Sequence, residues 1–216
     1  MHPMTLPGAA IAAALAFVAP CASAQSQGAN VVKLGITEYT THSKTNGISG
    51  VGVPPGADVD VSNATTVIFV YERLFTPNVG LEFVIGVPPK LKATGTGSVA
   101  FLGEVLSVRN VSPTLLLNYH FFSPSDALRP YVGAGINYTR FTSVHSSLAP
   151  DVKLGYSTGL ALQAGLNYAI TKDVGLFASV AKLNVKSKVV AVGANVLTTT
   201  VDFRPIVYSA GVSYQF

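Results

Sequence analysis

Tryptophan is absent from this chain of 216 residues, and cysteine occurs once, at Cys21. A single cysteine excludes an intrachain disulfide, and its place inside an N-terminal leader leaves the mature chain without thiol chemistry. Charge is scarce as well: 11% of residues are Asp, Glu, Lys or Arg, where a soluble domain carries about a quarter. No basic run with interleaved aromatics occurs, so nothing in the charge pattern points to nucleic acid. Apolar runs of about 18 or more residues are missing outside the N-terminus, which argues against membrane-spanning helices. There is no phosphate-binding glycine loop, and His42, His120 and His145 lack metal-ligand spacing. The sequence therefore points to no metal and no cofactor.

What the chain has instead is dispersed apolarity. Its mean hydropathy is +0.44, spread over segments that alternate residue by residue, the pattern of a transmembrane β-barrel. The exception is the stretch 8–19, GAAIAAALAFVA, followed by Ala22-Ser23-Ala24. An apolar core ending in small residues at this spacing reads as a secretory signal peptide, residues 1–24, with cleavage before Gln25. Its start carries His2 but no Lys or Arg, which is off the usual pattern, and Pro20 before Cys21 argues against lipoprotein processing. The leader holds no Asp, Glu, Lys or Arg, so the net charge of +4 belongs to the mature chain. Its scattered Lys and Arg suit either anionic lipid head groups or a plain solvated surface.

The clearest hairpin lies within residues 113–141. In its first strand Leu115, Leu117, Tyr119 and Phe121 share one face, and Thr114, Leu116, Asn118 and His120 the other. The turn Ser123-Pro124-Ser125-Asp126 is rich in turn formers. In the second strand Val132, Ala134, Ile136 and Tyr138 alternate with Gly133, Gly135, Asn137 and Thr139. A soluble sandwich strand alternates too, so parity alone does not place this hairpin in a bilayer. The count and regularity of such segments does.

Strands are expected at 31–41, 65–75, 79–87, in the two arms of the hairpin, at 156–170, at 174–187 and in the segment ending at Phe216. Loops are expected at 42–63, 88–110, 142–155 and about 189–200, and short turns at 76–78, 123–126 and 171–173. Long and short connections take turns, the topology of an outer-membrane barrel with short periplasmic turns and longer external loops. The expected fold is all-β: an eight-stranded antiparallel transmembrane β-barrel, its interior just wide enough for side chains or one small ligand. Such a sheet must close, because an open edge in hydrocarbon leaves backbone groups unsatisfied.

Several inward positions carry chemistry. Pairing Phe75 with Val79 across the tight turn sets Glu72 opposite Glu82, and two facing carboxylates need a cation. Lys33, inward near the same end, is the expected partner in an internal ion cluster. A catalytic carboxylate pair is the sharper alternative, and a structural charge network is the usual content of a small barrel. Lys182, Asn184 and Lys186 on strand seven are expected inward, against Leu183 and Val185 outward. The apolar inward residues Ile68, Val70, Val84 and Leu116, with Asn118 and His120, are the candidate channel lining. The stretch 88–110 holds Val99, Phe101, Leu102, Val105 and Leu106, too apolar for a solvated loop. It either extends the hairpin or folds over the mouth, where Val99, Phe101, Leu102 and Leu106 are the candidates. An apolar lining favours hydrophobic solutes, or a plugged structural barrel, over a water-filled porin.

Four blocks carry a family resemblance: Ser112 to Phe121 (SPTLLLNYHF), Arg129 to Thr139 (RPYVGAGINYT), Gly80-Leu81-Glu82, and the closing Val212-Ser213-Tyr214-Gln215-Phe216. In these the chain resembles the outer membrane protein W (OmpW) family, which includes proteins that help alkanes across the outer membrane. The resemblance covers essentially the whole mature chain, and its first two blocks are the specific ones. It implies an eight-stranded barrel in the bacterial outer membrane, with a narrow, largely hydrophobic interior that passes small hydrophobic molecules from outside towards the membrane, a lateral opening being one route. It also implies that Tyr214 and Phe216 belong to a C-terminal signal read by the barrel assembly machinery. The absence of Trp departs from the family and leaves any aromatic constriction to Phe or Tyr.

Catalysis has one further candidate, because small outer-membrane barrels include lipid A-modifying enzymes. His145-Ser146-Ser147 sets a histidine beside hydroxyls, with Asp151 nearby in sequence, and a base next to a serine is one route to a nucleophile. The group sits in a loop rather than on a rigid strand, which favours the ordinary reading. Taken together, the expectation is a non-enzymatic conduit for small hydrophobic solutes, embedded among outer-membrane lipid and lipopolysaccharide. A structural or stress-related barrel without a through-path is the alternative, and a lipid A enzyme stands third.

Overall fold

The structure, a computed structural model, describes residues 28–41, 44–45, 54–147, 151–192 and 196–216. The expected leader, 1–24, lies outside the described residues. Eight strands form the barrel: β1 Asn30–Thr40, β2 Ala64–Leu74, β3 Val79–Gly86, β4 Thr114–His120, β5 Leu128–Ser146, β6 Ser157–Ala169, β7 Val174–Leu183 and β8 Ile206–Gln215. Each neighbour pair is antiparallel, the sheet order is β6-β7-β8-β1-β2-β3-β4-β5, and β5 returns to β6, so no barrel edge is open.

The alternation that reads out of the sequence holds on the strands because each residue meets either the lumen or the outside. Ile36 and Leu160 are 63% and 67% exposed on the outer surface, while Lys33 and Glu72 are 2% and 1% exposed inside. This inside-out distribution would be unstable in water and suits a barrel whose outer wall faces lipid. Among the described residues no helix is long and apolar enough to cross a membrane.

Three tight turns close one end. Phe75 N–H donates to Val79 O at 2.9 Å, Ser123 N–H to Asp126 Oδ2 at 2.7 Å, and Val174 N–H to Thr171 Oγ1 at 3.0 Å. The chain closes there too: Asn30 and Phe216 exchange both backbone hydrogen bonds at 2.9 Å, tying β1 to the end of β8.

The other end corrects the expectation of loops. β5 runs for 19 residues and continues past the barrel, pairing there with Glu104–Val111, which pairs with Lys90–Gly97, which in turn pairs with Ala57–Val61. A second small sheet joins Asp151–Leu154, Val185–Val192, Val196–Phe203 and Lys44–Thr45. The physical reason is that period-two alternation persists in these stretches. Val61, Leu91, Val108 and Phe141 pack into one cluster with Leu106 and Val144 against it, while Lys90, Lys92, Arg109 and Arg140 point away. The candidates Val99, Phe101, Leu102 and Leu106 thus belong to the extended hairpin and do not fold over the mouth.

Candidate functional site

The barrel interior is stacked in layers, and the middle one is ionic. Lys33 on β1 brings its Nζ to 3.0 Å from Glu72 Oε2 and 2.7 Å from Glu82 Oε2. Glu72 and Glu82 are direct register partners on β2 and β3. The remaining carboxylate oxygens are also engaged. Gln163 Nε2 donates to Glu82 Oε1 at 2.8 Å, Asn118 Nδ2 to Glu72 Oε1 at 3.1 Å, and His120 Nε2 lies 2.7 Å from the same Glu72 oxygen. Asn167 Nδ2 stands 3.4 Å from His120 Nδ1, an arrangement in which Nε2–H donates to Glu72. The rings of Tyr131 and Phe177 flank the ammonium at 5.0 and 5.8 Å, a cation–π pairing on two sides. Buried charges are tolerable when geometry and hydrogen bonds replace their lost hydration, and here every carboxylate oxygen has a partner. The layer draws side chains from seven strands, β1 to β7, into the lumen as a plug.

Beyond the plug, towards the extended end, lies a narrow cavity. Its walls include Ile68, Val70, Val84, Leu116, Leu183 and Val207, with the hydroxyls of Thr37, Ser179 and Ser209 between them. A further small hollow at the mouth is bordered by Tyr39, Leu91, Phe141, Leu183 and Pro205. On the far side of the plug a third opens at the turn end beside Arg129, Asn167 and Asp173. It shares no lining residue with the upper cavity.

Among the described residues the wall has a weak seam between β3 and β4. Pairing between β3 and β4 runs from Val79 and Tyr119 to Val84 and Thr114, and resumes at Lys90 and Arg109 in the extension. Between these points Pro88, Pro89 and Pro113 have no N–H to give. Val87 N–H continues the β2 ladder, donating to Val67 O at 2.9 Å, so the gap lies on the β4 side alone, and Asn110 N–H donates to Pro89 O at 3.0 Å where pairing resumes. The upper cavity borders this seam at Gly86, Ser112 and Thr114. Asn137 on β5 steadies the β4 side, donating to Ser112 Oγ at 2.8 Å and Thr114 Oγ1 at 2.7 Å.

Several expected residues sit elsewhere in function. Ile68, Val70, Val84 and Leu116 line the cavity, whereas Asn118 and His120 belong to the plug and hold Glu72. Val99, Phe101 and Leu102 occupy the tip of the hairpin 90–111, and Phe101 is 82% exposed. Leu106 packs on the cluster of the extended sheet. The mouth is made by Tyr39, Leu91, Phe141 and Leu183, which sequence reading did not single out. The facing of strand seven near its end is also corrected: Lys182 and Asn184 point out and Leu183 is buried. Register sets this, since Ala181 pairs with inward Val207 and Lys182 with outward Ile206. So close to the extended end an outward lysine stands beyond the apolar belt. The side chains of Val185 and Lys186 lie outside the described residues.

Tyr131 and Phe177 were missed as plug residues although their parity was readable: Tyr131 shares its face with Gly133, and Phe177 with Gly175. Gly165 explains why Tyr131 fits, since a Cβ there would stand 2.5 Å from its Cζ. The candidate His145 and Ser147 are exposed and point to separate backbone carbonyls, Ser143 O at 2.9 Å and Glu104 O at 3.0 Å. They are not bonded as a base and nucleophile. The Asp151 side chain lies outside the described residues. Among the described residues no group of three His, Cys, Asp or Glu side chains converges on a metal site.

Comparison with known proteins agrees with this architecture. Residues 26–216 match the model of the OmpW family. Outer membrane protein W of Vibrio cholerae is 29% identical, the match covering 98% of this chain and 99% of that protein. Outer membrane protein AlkL of Ectopseudomonas oleovorans is 30% identical over 77% of this chain and 73% of its own length. The crystal structure of the outer membrane protein OprG from Pseudomonas aeruginosa superposes with a TM-score of 0.82 at 25% identity, covering 88% of this chain and 97% of OprG. The chain belongs to the OmpW family of outer-membrane β-barrels.

Proposed function

We propose that this barrel is a non-enzymatic conduit that takes small hydrophobic molecules into its upper lumen and releases them sideways into the outer membrane between β3 and β4. One observation carries the reading: an apolar-walled cavity is closed beneath by the Lys33 layer and bounded at the side by a stretch where strand pairing is interrupted. A straight path through the plug would require an apolar solute to displace hydrogen bonds it cannot replace, which is costly in a buried setting. The sideways path meets Gly86, hydroxyls and proline backbone instead. The family resemblance supports the same class of solute.

A structural barrel without a path is the second reading, and the closed ionic layer favours it. The two separate in uptake of a radiolabelled alkane by cells lacking and then regaining the protein. The expected result is faster uptake on regaining it, lost in Leu116→Arg and reduced in Gly86→Leu. At Gly86 a Cβ would meet Val67 O at 3.2 Å and Ile68 Cγ2 at 3.3 Å, a tight fit that small shifts relieve. Unchanged uptake, with the folded protein present in the outer membrane, would remove transport of that solute and leave the structural reading.

A further inference from the structure

On the outer face of β5 the outward residues read Val132, Ala134, Ile136, Tyr138 and then Arg140. The change from aliphatic to aromatic to cationic within two outward steps, roughly 14 Å of strand, marks the upper edge of the lipid belt. Tyr138 stacks with Tyr156 there, ring centroids 6.0 Å apart, as interfacial aromatics do. With the short turns on the periplasmic side, this edge belongs to the outer leaflet.

Two more cations stand beside Arg140 on the same outward face. Arg109 is opposite Thr142, two positions along β5 from Arg140, so the two arginines are diagonal neighbours. Lys90 is the direct register partner of Arg109. Like charges directly opposite in a sheet repel, yet among the described residues no carboxylate forms an ion pair with any of the three. Glu104 in the extension is held by Lys92 at 2.7 Å, although it also feels Lys90. Arg109 is anchored at the rim by Nη1 donating to Pro88 O at 3.2 Å.

We propose that Lys90, Arg109 and Arg140 form a phosphate-binding site for lipid A, the anionic membrane anchor of lipopolysaccharide. Two guanidinium groups and an ammonium supply forked and point donors for phosphate oxygens. The position directly above Ile136 and Tyr138 lets the acyl chains of the same molecule lie on the apolar wall. A bound phosphate removes the repulsion between Lys90 and Arg109, so the cluster and the lipid stabilise one another.

The test uses the full chain folded in detergent micelles, titrated with bisphosphorylated lipid A and followed by native mass spectrometry. Arg109→Gln/Arg140→Gln is expected to bind about 30-fold more weakly, at roughly fivefold per cation near an anionic surface. Arg109→Lys/Arg140→Lys should keep most of the affinity, and Lys172→Gln, an exposed cation at the opposite end, should keep all of it. Dephosphorylated lipid A should bind the parent as weakly as bisphosphorylated lipid A binds the double Gln variant, and inorganic phosphate at equal concentration should not compete. The proposal is overturned by equal binding of parent and double Gln variant, both shown folded by heat-modifiable gel mobility. It is overturned equally by a comparable loss in Lys172→Gln, or by inorganic phosphate displacing the lipid.

Discussion

Glu72 and Glu82 stand directly opposite one another on β2 and β3, and the ammonium of Lys33 bridges them at 3.0 and 2.7 Å. The pair is held in place by its cation. Lys33→Met leaves two facing buried carboxylates and should destabilise the barrel by about 3–5 kcal/mol, read as a lower urea midpoint in lipid vesicles. Adding Glu72→Gln and Glu82→Gln should restore most of the loss. No restoration would assign the loss to the packing of the lysine stem against Tyr131 and Phe177.

The seat of Tyr131 on Gly165 gives a second test. A Cβ at Gly165 collides with the ring, so Gly165→Val should cost about 1–3 kcal/mol through overpacking. In the Gly165→Val/Tyr131→Ala double variant the cost of the valine should largely vanish, because contacting residues are not additive. Strict additivity of the two single effects would show that the ring does not meet this position in the folded barrel.

Outside the membrane, Glu104 sets a pH dependence. The hydrogen bond from Lys92 holds its carboxyl below the ordinary value of 4.5, helped by the charges of Lys92 and Lys90. A carboxylate depressed in this way stabilises the fold above its unfolded value and ceases to do so as pH falls through the folded one. The pair is exposed and therefore screened by salt. Amide protection, taken against the intrinsic exchange rate at each pH, should fall in residues 90–97 and 104–111 below pH 4.5 at low salt. The acid dependence should disappear in Glu104→Gln; its persistence there would trace it to another group.

The C-terminal ring separates assembly from stability. Phe216 closes the barrel through its backbone, while its ring stacks on Tyr214 with centroids 6.1 Å apart. Phe216→Ala keeps the backbone bonds. We propose that Tyr214 and Phe216 act as a signal for the assembly machinery, so the variant should refold in detergent with unchanged yield yet accumulate less in the outer membrane of cells. Equal losses in both settings would make the ring a stability element only.

By itself the sequence determined the facing of nearly every barrel strand, the short turns and the confrontation of Glu72 with Glu82. These are local properties: a strand's parity follows from which side chains meet lipid, and a tight hairpin fixes the register of its two arms. Height and distant register were decided only by the closed barrel. Gln163 reaches Glu82 across 81 residues, and Tyr131 and Phe177 meet Lys33 because eight strands tilt to a common layer. Lys182 looked like a lumen residue since charge is costly towards lipid, but polarity outside the wall changes with height, and near the extended end a cation can face out. The stretch 88–110 carried alternation that fits a strand as well as a lid. Pairing with the overhanging end of β5 settled it, because that end's backbone groups have partners only when the neighbouring stretch continues the sheet.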